Sequence, residues 1–442
     1  MLRELSIALI ATCSASILTA STSRAAESDP ARVAIIDASI NTAPYLDALE
    51  AAGVKVIGRY FSRCPQPDIV PEKRLIDNDG ELRAILSHKA RFGVLSIYQY
   101  FNNQPLKFSG KRQISCKSKK GDSLTIEVTL PGADCKPRPI EDCKEAQGTP
   151  QSGTTEAEYD ARAAVTQAKL VKQPPSTAIY FGVDFDLSSE SREQVVQYFT
   201  IVSNELKDNG YLVGVYGNGA ALSLLRGERH ATGKHAGQPL VDFTWLNASR
   251  GHAGAAEFYN LGAWDLFQSR TDLKLPAGPR GSVEIDTDIQ NGARAGDYVG
   301  FWNEHGQYRV PEARTKAIYD QRRFACSGRS SVRESLVDNP AGAGSCLCGG
   351  KCSVCDKPQA KSQAGRNIGS RIGFGNVVRV GREQAGFIQI DRDEDGIYDG
   401  WTELTNLSPT FAERPHYVGD SEKRSAAVCP AAAEPASAAA AR

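Results

Sequence analysis

The chain has 442 residues, 41% of them hydrophobic and 24% charged, an ordinary globular balance. Lysine plus arginine and aspartate plus glutamate both number 52, so no global field draws the protein to nucleic acid or to a membrane surface. The length allows one large domain with one or two small ones.

Residues 1–26 read as a secretory signal. Arg3 precedes an apolar stretch from Leu5 to Ala20, and Ser23-Arg24-Ala25 supplies a cleavage site. The stretch is too short and too rich in Ser and Thr for a bilayer span. The mature protein is therefore expected to be secreted, periplasmic or extracellular, with no membrane span. Beyond Cys13 ten cysteines remain: Cys64, Cys116, Cys135, Cys143, Cys326, Cys346, Cys348, Cys352, Cys355 and Cys429. An even number in an exported chain points to disulfides, whose pairing the sequence does not fix.

Residues 27–310 are expected to form one domain. Eight short apolar runs recur there: "RVAIIDAS", "GVKVIGRYF", "RFGVLSIYQY", "AIYFGVDFD", "GYLVGVYGN", "VDFTWLNAS", "AWDLFQSR" and "SVEIDTDIQ". Most are nearly continuous, as strands covered on both faces are. Helical spacing separates several of them, at 43–51, 156–171 and 191–207. Strand alternating with helix predicts an α/β fold, a (β/α)₈ TIM-type barrel of parallel strands. An open doubly wound sheet is the competing arrangement, but no glycine-rich phosphate loop follows any strand. Residues 102–153 exceed any ordinary connection and read as a cysteine-containing β insertion after the third strand, with alternation at 123–130. Its basic run (Lys111, Arg112, Lys117, Lys119, Lys120) reads as a solvated surface.

Past 310 the composition shifts to Ser, Gly and Arg. Residues 311–362 read as a cysteine-rich linker, and "CLCGGKCSVC" (346–355) suits disulfides in an exported chain, with zinc as the alternative. Residues 363–415 read as a small β domain, and 416–442 as a disordered tail.

Chemistry is expected at the end of the barrel where parallel strands finish. Three strands carry acids there: Asp37 in "AIIDAS", Asp184 and Asp186 in "VDFD", and Asp286 and Asp288 in "EIDTDIQ". Acids crowding one mouth raise at least one pKa, which supplies a proton donor, while an ionised partner stabilises a cationic transition state. Tyr60, Tyr100, Tyr216 and Trp245 offer faces and hydroxyls suited to a sugar ring, and Gln268 and Asp288 join that substrate-binding set. The alternative for Asp186 is a helix cap, since "LSSESREQ" follows it.

The ordered motifs "VAIIDAS", "VIGRYF", "PPSTAIYFGVDFD", "YFTIVSNELKDNGYLVGVYGNG", "TWLNAS", "LFQS" and "EIDTDIQ" resemble the glycoside-hydrolase-like domain of unknown function. That family is similar to the lysozymes of glycoside hydrolase family twenty-five. The resemblance spans roughly residues 31–300 without the insertion. It implies a barrel acting on, or derived from enzymes acting on, cell-wall glycan. Asp37 matches the first-strand acid, and Asp184 and Asp286 match acids lining the cleft. Asp186 falls where the lysozymes place a glutamate, their proton donor. Aspartate sets the carboxyl about 1.5 Å further back, and a misplacement of about that size costs about 100-fold in rate.

These features lead to an expected exported glycoside hydrolase that cleaves peptidoglycan or a related polysaccharide by carboxylate acid catalysis, without a catalytic cofactor. The alternative is a non-catalytic carbohydrate-binding protein on a degenerate barrel. In the C-terminal part, "DRDEDGIYDGW" sets Asp391, Asp393, Asp395 and Asp399 at a spacing that can wrap calcium. It resembles the aspartate-rich calcium loops of secreted bacterial proteins. The flanking "VVRV" and "GFIQI" instead suit a bacterial SH3-like module.

Overall fold

The computed structural model describes residues 33–63, 72–99, 108, 111–117, 123–129, 153–248, 253–325, 331–333, 336–337, 363–364, 367–372, 376–392, 394 and 398–409. The signal segment, Tyr100, Asp393, Asp395, the four-cysteine cluster and the tail fall outside these residues. So do all cysteine side chains; of the cysteines, only the backbone of Cys116 is described.

The first three barrel strands are β1 (Ile35–Asp37), β2 (Val56–Phe61) and β3 (Gly93–Tyr98), linked by α1 (Leu46–Ala51) and α2 (Glu81–Ser87). The insertion contributes β4 (Lys111–Lys117) and β5 (Ser123–Thr129), an antiparallel pair in the register Lys111↔Thr129 to Lys117↔Ser123. Helix α3 (Gly153–Leu170) then leads to β6 (Ala178–Val183), α4 (Ser189–Asp208), β7 (Leu212–Gly217), α5 (Gly219–Gly227), β8 (Phe243–Leu246), α6 (Ala255–Asn260), β9 (Leu266–Pro276) and β10 (Ser282–Gln290). The strands run in the order β3-β2-β1-β10-β9-β8-β7-β6, and β6 pairs back onto β3, so the barrel closes with eight strands.

One expectation is corrected. The barrel is not wholly parallel: β10 runs antiparallel to both β1 and β9. The reason is the link. Residues 277–281 turn within a few positions, Ala277 N–H donating to the Gly281 carbonyl at 2.8 Å, with Gly278 and Gly281 at φ +60° and +81°. A parallel return needs a crossover of about a dozen residues or more. No α-helix therefore separates β9 from β10, only the single 3-10 turn Gly278–Arg280.

The interior is filled in layers. Along β6, Ala178, Tyr180 and Gly182 alternate to the same face, and Tyr180 is fully buried with its hydroxyl donating to the Val299 carbonyl at 2.6 Å. Gly214 on β7 makes room for that ring, since a Cβ there would lie 2.4 Å from it. Outside, α1 and α2 cover Ile36, Ile57 and Val94, while Phe181, Val195, Tyr198, Phe199 and Val202 join α4 to the sheet. Ser188 caps α4 through Ser191 in a reciprocal pair, so the helix cap that was the alternative role for Asp186 falls to Ser188.

After the barrel come β11 (Trp302–Asn303), β12 (Gly306–Gln307) and α7 (Glu312–Asp320). Next are β13 (Arg322–Ala325), β14 (Ser331–Arg333), β15 (Leu336–Val337), β16 (Gln363–Ala364), β17 (Asn367–Arg371), β18 (Val377–Gln384), β19 (Phe387–Asp391), β20 (Gly400–Glu403) and β21 (Leu407–Ser408). Seven of them form a separate sheet in the order β17-β14-β20-β19-β18-β13-β21. The sheet draws β13 and β14 from inside the segment expected to be linker. Among the described residues no helix is long and apolar enough to cross a membrane.

Candidate active site

Six strands bring polar side chains to one mouth, and the pairing explains which ones meet. Asp37 ends β1, and the antiparallel register sets it directly opposite Asp286, while Ile35 faces Asp288 one layer deeper. The expectation that all acids lie at strand ends is thus corrected for β10, whose two aspartates lie within the strand. They still reach Asp37 because the strand runs the other way.

Asp37 is buried and accepts from the Tyr60 hydroxyl at 2.5 Å. The Gln268 amide nitrogen lies 3.4 Å from Asp37 Oδ2 and 2.9 Å from Asp286 Oδ2. Gln268 Oε1 accepts from the Tyr216 hydroxyl at 2.9 Å and from the Ala248 N–H at 3.3 Å. Asp286, half-buried, also accepts from the Asp272 N–H at 2.8 Å. Asp288 is buried below, and its Oδ1 accepts from Trp245 Nε1 at 2.9 Å. Trp245 in turn stacks edge-on against Tyr216, with ring centroids 4.7 Å apart.

Burial sets the protonation of this group. It pushes Asp286 up to about 8, helped by the neighbouring charge of Asp37 and opposed by the Asp272 N–H. Asp288 is pushed well above the usual carboxylate range by burial, then by Asp37 and Asp286. Asp37 is also raised by burial, against the Tyr60 and Gln268 hydrogen bonds and the charges of Lys73 and Arg59. Tyr60 and Tyr216 are driven up by burial and by these acids, so both hydroxyls stay protonated and act as donors. Three carboxyls in such contact titrate as a group.

Asp184 and Asp186 approach from β6. Asp184 is half-buried and accepts from Asn247 Nδ2 at 2.7 Å. Beyond burial, the charges of Asp184, Asp37, Asp286 and Asp288 all act on the Tyr216 hydroxyl and raise it. Asp186 is exposed, and its Oδ1 accepts from the Ala253 N–H at 3.0 Å, tying the loop after β6 to the loop before α6. The structure thus brings together Asp37, Tyr60, Tyr216, Trp245, Gln268, Asp286 and Asp288, sets Asp184 beside them, and leaves Asp186 at the rim.

Several residues of the mouth escaped the sequence reading. Lys73, buried, sits 4.6 Å over the Tyr60 ring and 3.4 Å from Gln99 Oε1. It comes from a loop without periodic signal. Asn247 lies two residues after Trp245 in the same motif, and that spacing could have found it. Gly58 is required beneath Asp37: a Cβ there would lie 2.8 Å from the Asp37 Cβ. Behind the mouth, Arg59 and Glu81 form a fully buried pair at 2.8 Å. Glu81 also accepts from the Thr42 N–H and hydroxyl at 2.7 and 2.8 Å, and Arg59 reaches the Ala38 carbonyl.

A model of the Rv2525c-like, glycoside hydrolase-like domain matches residues 47–290. The chain belongs to that family. No curated protein sequence matches it. Among solved structures, the Mycobacterium tuberculosis Tat-secreted protein Rv2525c in complex with L-tartrate is similar at 17% identity and TM-score 0.38, over 58% of this chain and 95% of that one. The same protein with HEPES gives 16% and 0.38, over 61% and 99%. An uncharacterized B. stearothermophilus protein gives 14% and 0.31, over 58% and 94%.

In the C-terminal sheet, Asp391 is buried with its Oδ2 3.4 Å from Arg379. Asp399 accepts from the Arg392 N–H at 2.6 Å and from its guanidinium at 3.3 Å. A calcium ion bound by these two carboxylates would compete with both arginines. Elsewhere, Asp47, Glu50 and His88 lie close enough to share a metal. Lys89 contacts both acids there, and the Ala90 N–H occupies His88 Nδ1.

Proposed function

We propose that this member of the glycoside hydrolase-like family is an exported hydrolase of glycosidic bonds in peptidoglycan or a related polysaccharide, with Asp286 as the proton donor. The observation that carries this reading is the half-buried Asp286 against the buried Asp37, its proton held up to about 8. A carboxyl that keeps its proton near neutrality can protonate a leaving-group oxygen, while a second carboxylate stabilises the oxocarbenium-like transition state. Asp184, fixed by Asn247, is the residue for that second role. Tyr60 and Tyr216 line the sugar's path. Export is supported by the character of residues 1–26, and a structural calcium in the C-terminal sheet remains a proposal that a chelator titration of thermal unfolding tests.

The experiment is release of reducing ends from purified cell-wall glycan by the wild type, Asp286→Asn and Asp186→Asn. We expect Asp286→Asn to lose about 100- to 10,000-fold, the range that general acids contribute, and Asp186→Asn to lose much less. Full activity in a folded Asp286→Asn variant sinks the assignment. The non-catalytic alternative is favoured by one observation: Asp37 and Asp288 are buried and already hydrogen-bonded within the protein. Binding of glycan with no product from the wild type supports that second reading.

A further inference from the structure

We propose that Gln268 is a positioning residue of the mouth and not a ligand-binding one: its amide, turned one way by the Ala248 N–H and the Tyr216 hydroxyl, uses both of its own N–H bonds to hold Asp37 and Asp286. The proposal deepens the reading of Asp286 as proton donor and rests on it.

A glutamine amide offers two N–H donors and two lone pairs. Which end is nitrogen follows from the partners. The Ala248 backbone nitrogen can only donate, so the atom 3.3 Å from it is the amide oxygen, and the Tyr216 hydroxyl donates to that same oxygen at 2.9 Å. The nitrogen then faces Asp286 at 2.9 Å and Asp37 at 3.4 Å, both acceptors. Four bonding positions meet four partners, and the side chain is 4% exposed. No capacity is left for a sugar hydroxyl. The substrate-binding role expected of Gln268 is replaced by an indirect one: a planar group bridging the facing strands β1 and β10 from β9, fixing how far apart two carboxyls stand. Its N–H bonds favour the ionised forms of both acids and so oppose burial.

The test follows the carboxyl ¹³C resonances through a pH titration of the whole protein, with Asp286 assigned by its absence in Asp286→Asn. In Gln268→Leu the Asp286 midpoint is expected to rise by about one pH unit, roughly tenfold tighter proton binding, the size of one lost hydrogen bond to a charged group. An unchanged midpoint in a folded variant overturns the proposal. If the leucine variant does not fold, the near-isosteric Gln268→Glu decides. Its new carboxyl must carry a proton to donate its one O–H to either acid, so one additional protonated carboxyl is expected at neutral pH. A new carboxyl that titrates like a surface acid overturns the proposal. No substrate enters either measurement, so the absence of glycan cleavage would leave this result standing.

Discussion

At the scale of single residues, Asp286 gives the mouth its pH dependence. An unfolded aspartate loses its proton near about 3.9, whereas the folded protein holds this one up to about 8. Between those values the native state binds the additional proton, so stability falls as pH rises through the window and levels off above it. Asp286→Asn is expected to flatten the slope of melting temperature against pH between about 4 and 8 and to melt above the wild type at the alkaline end. A variant with the parent's slope would show that the pH dependence arises elsewhere. Gly58 tests the same mouth by size. An added Cβ would meet the Asp37 Cβ at 2.8 Å and the Ile36 carbonyl at 3.0 Å, so something has to move. Gly58→Ala is expected to cost about 1–3 kcal/mol in urea unfolding, with the Tyr60–Asp37 bond displaced.

At the scale of elements, α2 is fastened to the barrel by the buried pair of Arg59 on β2 and Glu81 at the helix's first position. Removing one partner leaves a buried charge, so Glu81→Ala is expected to cost about 3–5 kcal/mol, with Arg59→Met in the same chain restoring part of it. An additive double variant would show that the two charges are not coupled. The strands themselves were legible because continuous apolar runs mark strands buried on both faces, and β10 matches "SVEIDTDIQ" residue for residue. Its direction was not read, because apolar pattern is the same forwards and backwards. The clue was length: residues 277–281 cannot hold a crossover helix. Among the acids, Asp37, Asp286 and Asp288 were legible as a converging set, since closure alone brings β1 and β10 together. Asp186 stands apart from that set. Its position in "VDFD" says that it ends a strand, and only the fold shows it bound at the rim to the Ala253 N–H.

For the whole molecule, the missing α-helix between β9 and β10 leaves an outer wall to be covered from elsewhere. Helix α7 packs on β10, and Phe324 of β13 packs edge-on to Tyr259 at 4.9 Å and against Phe267 of β9 at 6.0 Å. Trp264 joins the cluster between Tyr259 and Tyr319, and Val377 of β18 is buried in the same core as the barrel. The C-terminal sheet is thereby part of the barrel's packing, and the two are expected to unfold together. Phe324→Ala should cost about 3–5 kcal/mol, the usual range for a buried aromatic cut to alanine, although the residue lies far along the chain from every acid of the mouth. A chain ending at residue 310 should expose Tyr259, Trp264 and Phe267 to water, bind a hydrophobic dye and melt below the full chain. An appended module predicts the opposite on both counts: two separate transitions in calorimetry, and a truncated barrel that melts where the full protein's first transition lies. Seeing both would place the boundary of cooperative folding at 310 and reduce the Phe324 contact to a surface touch.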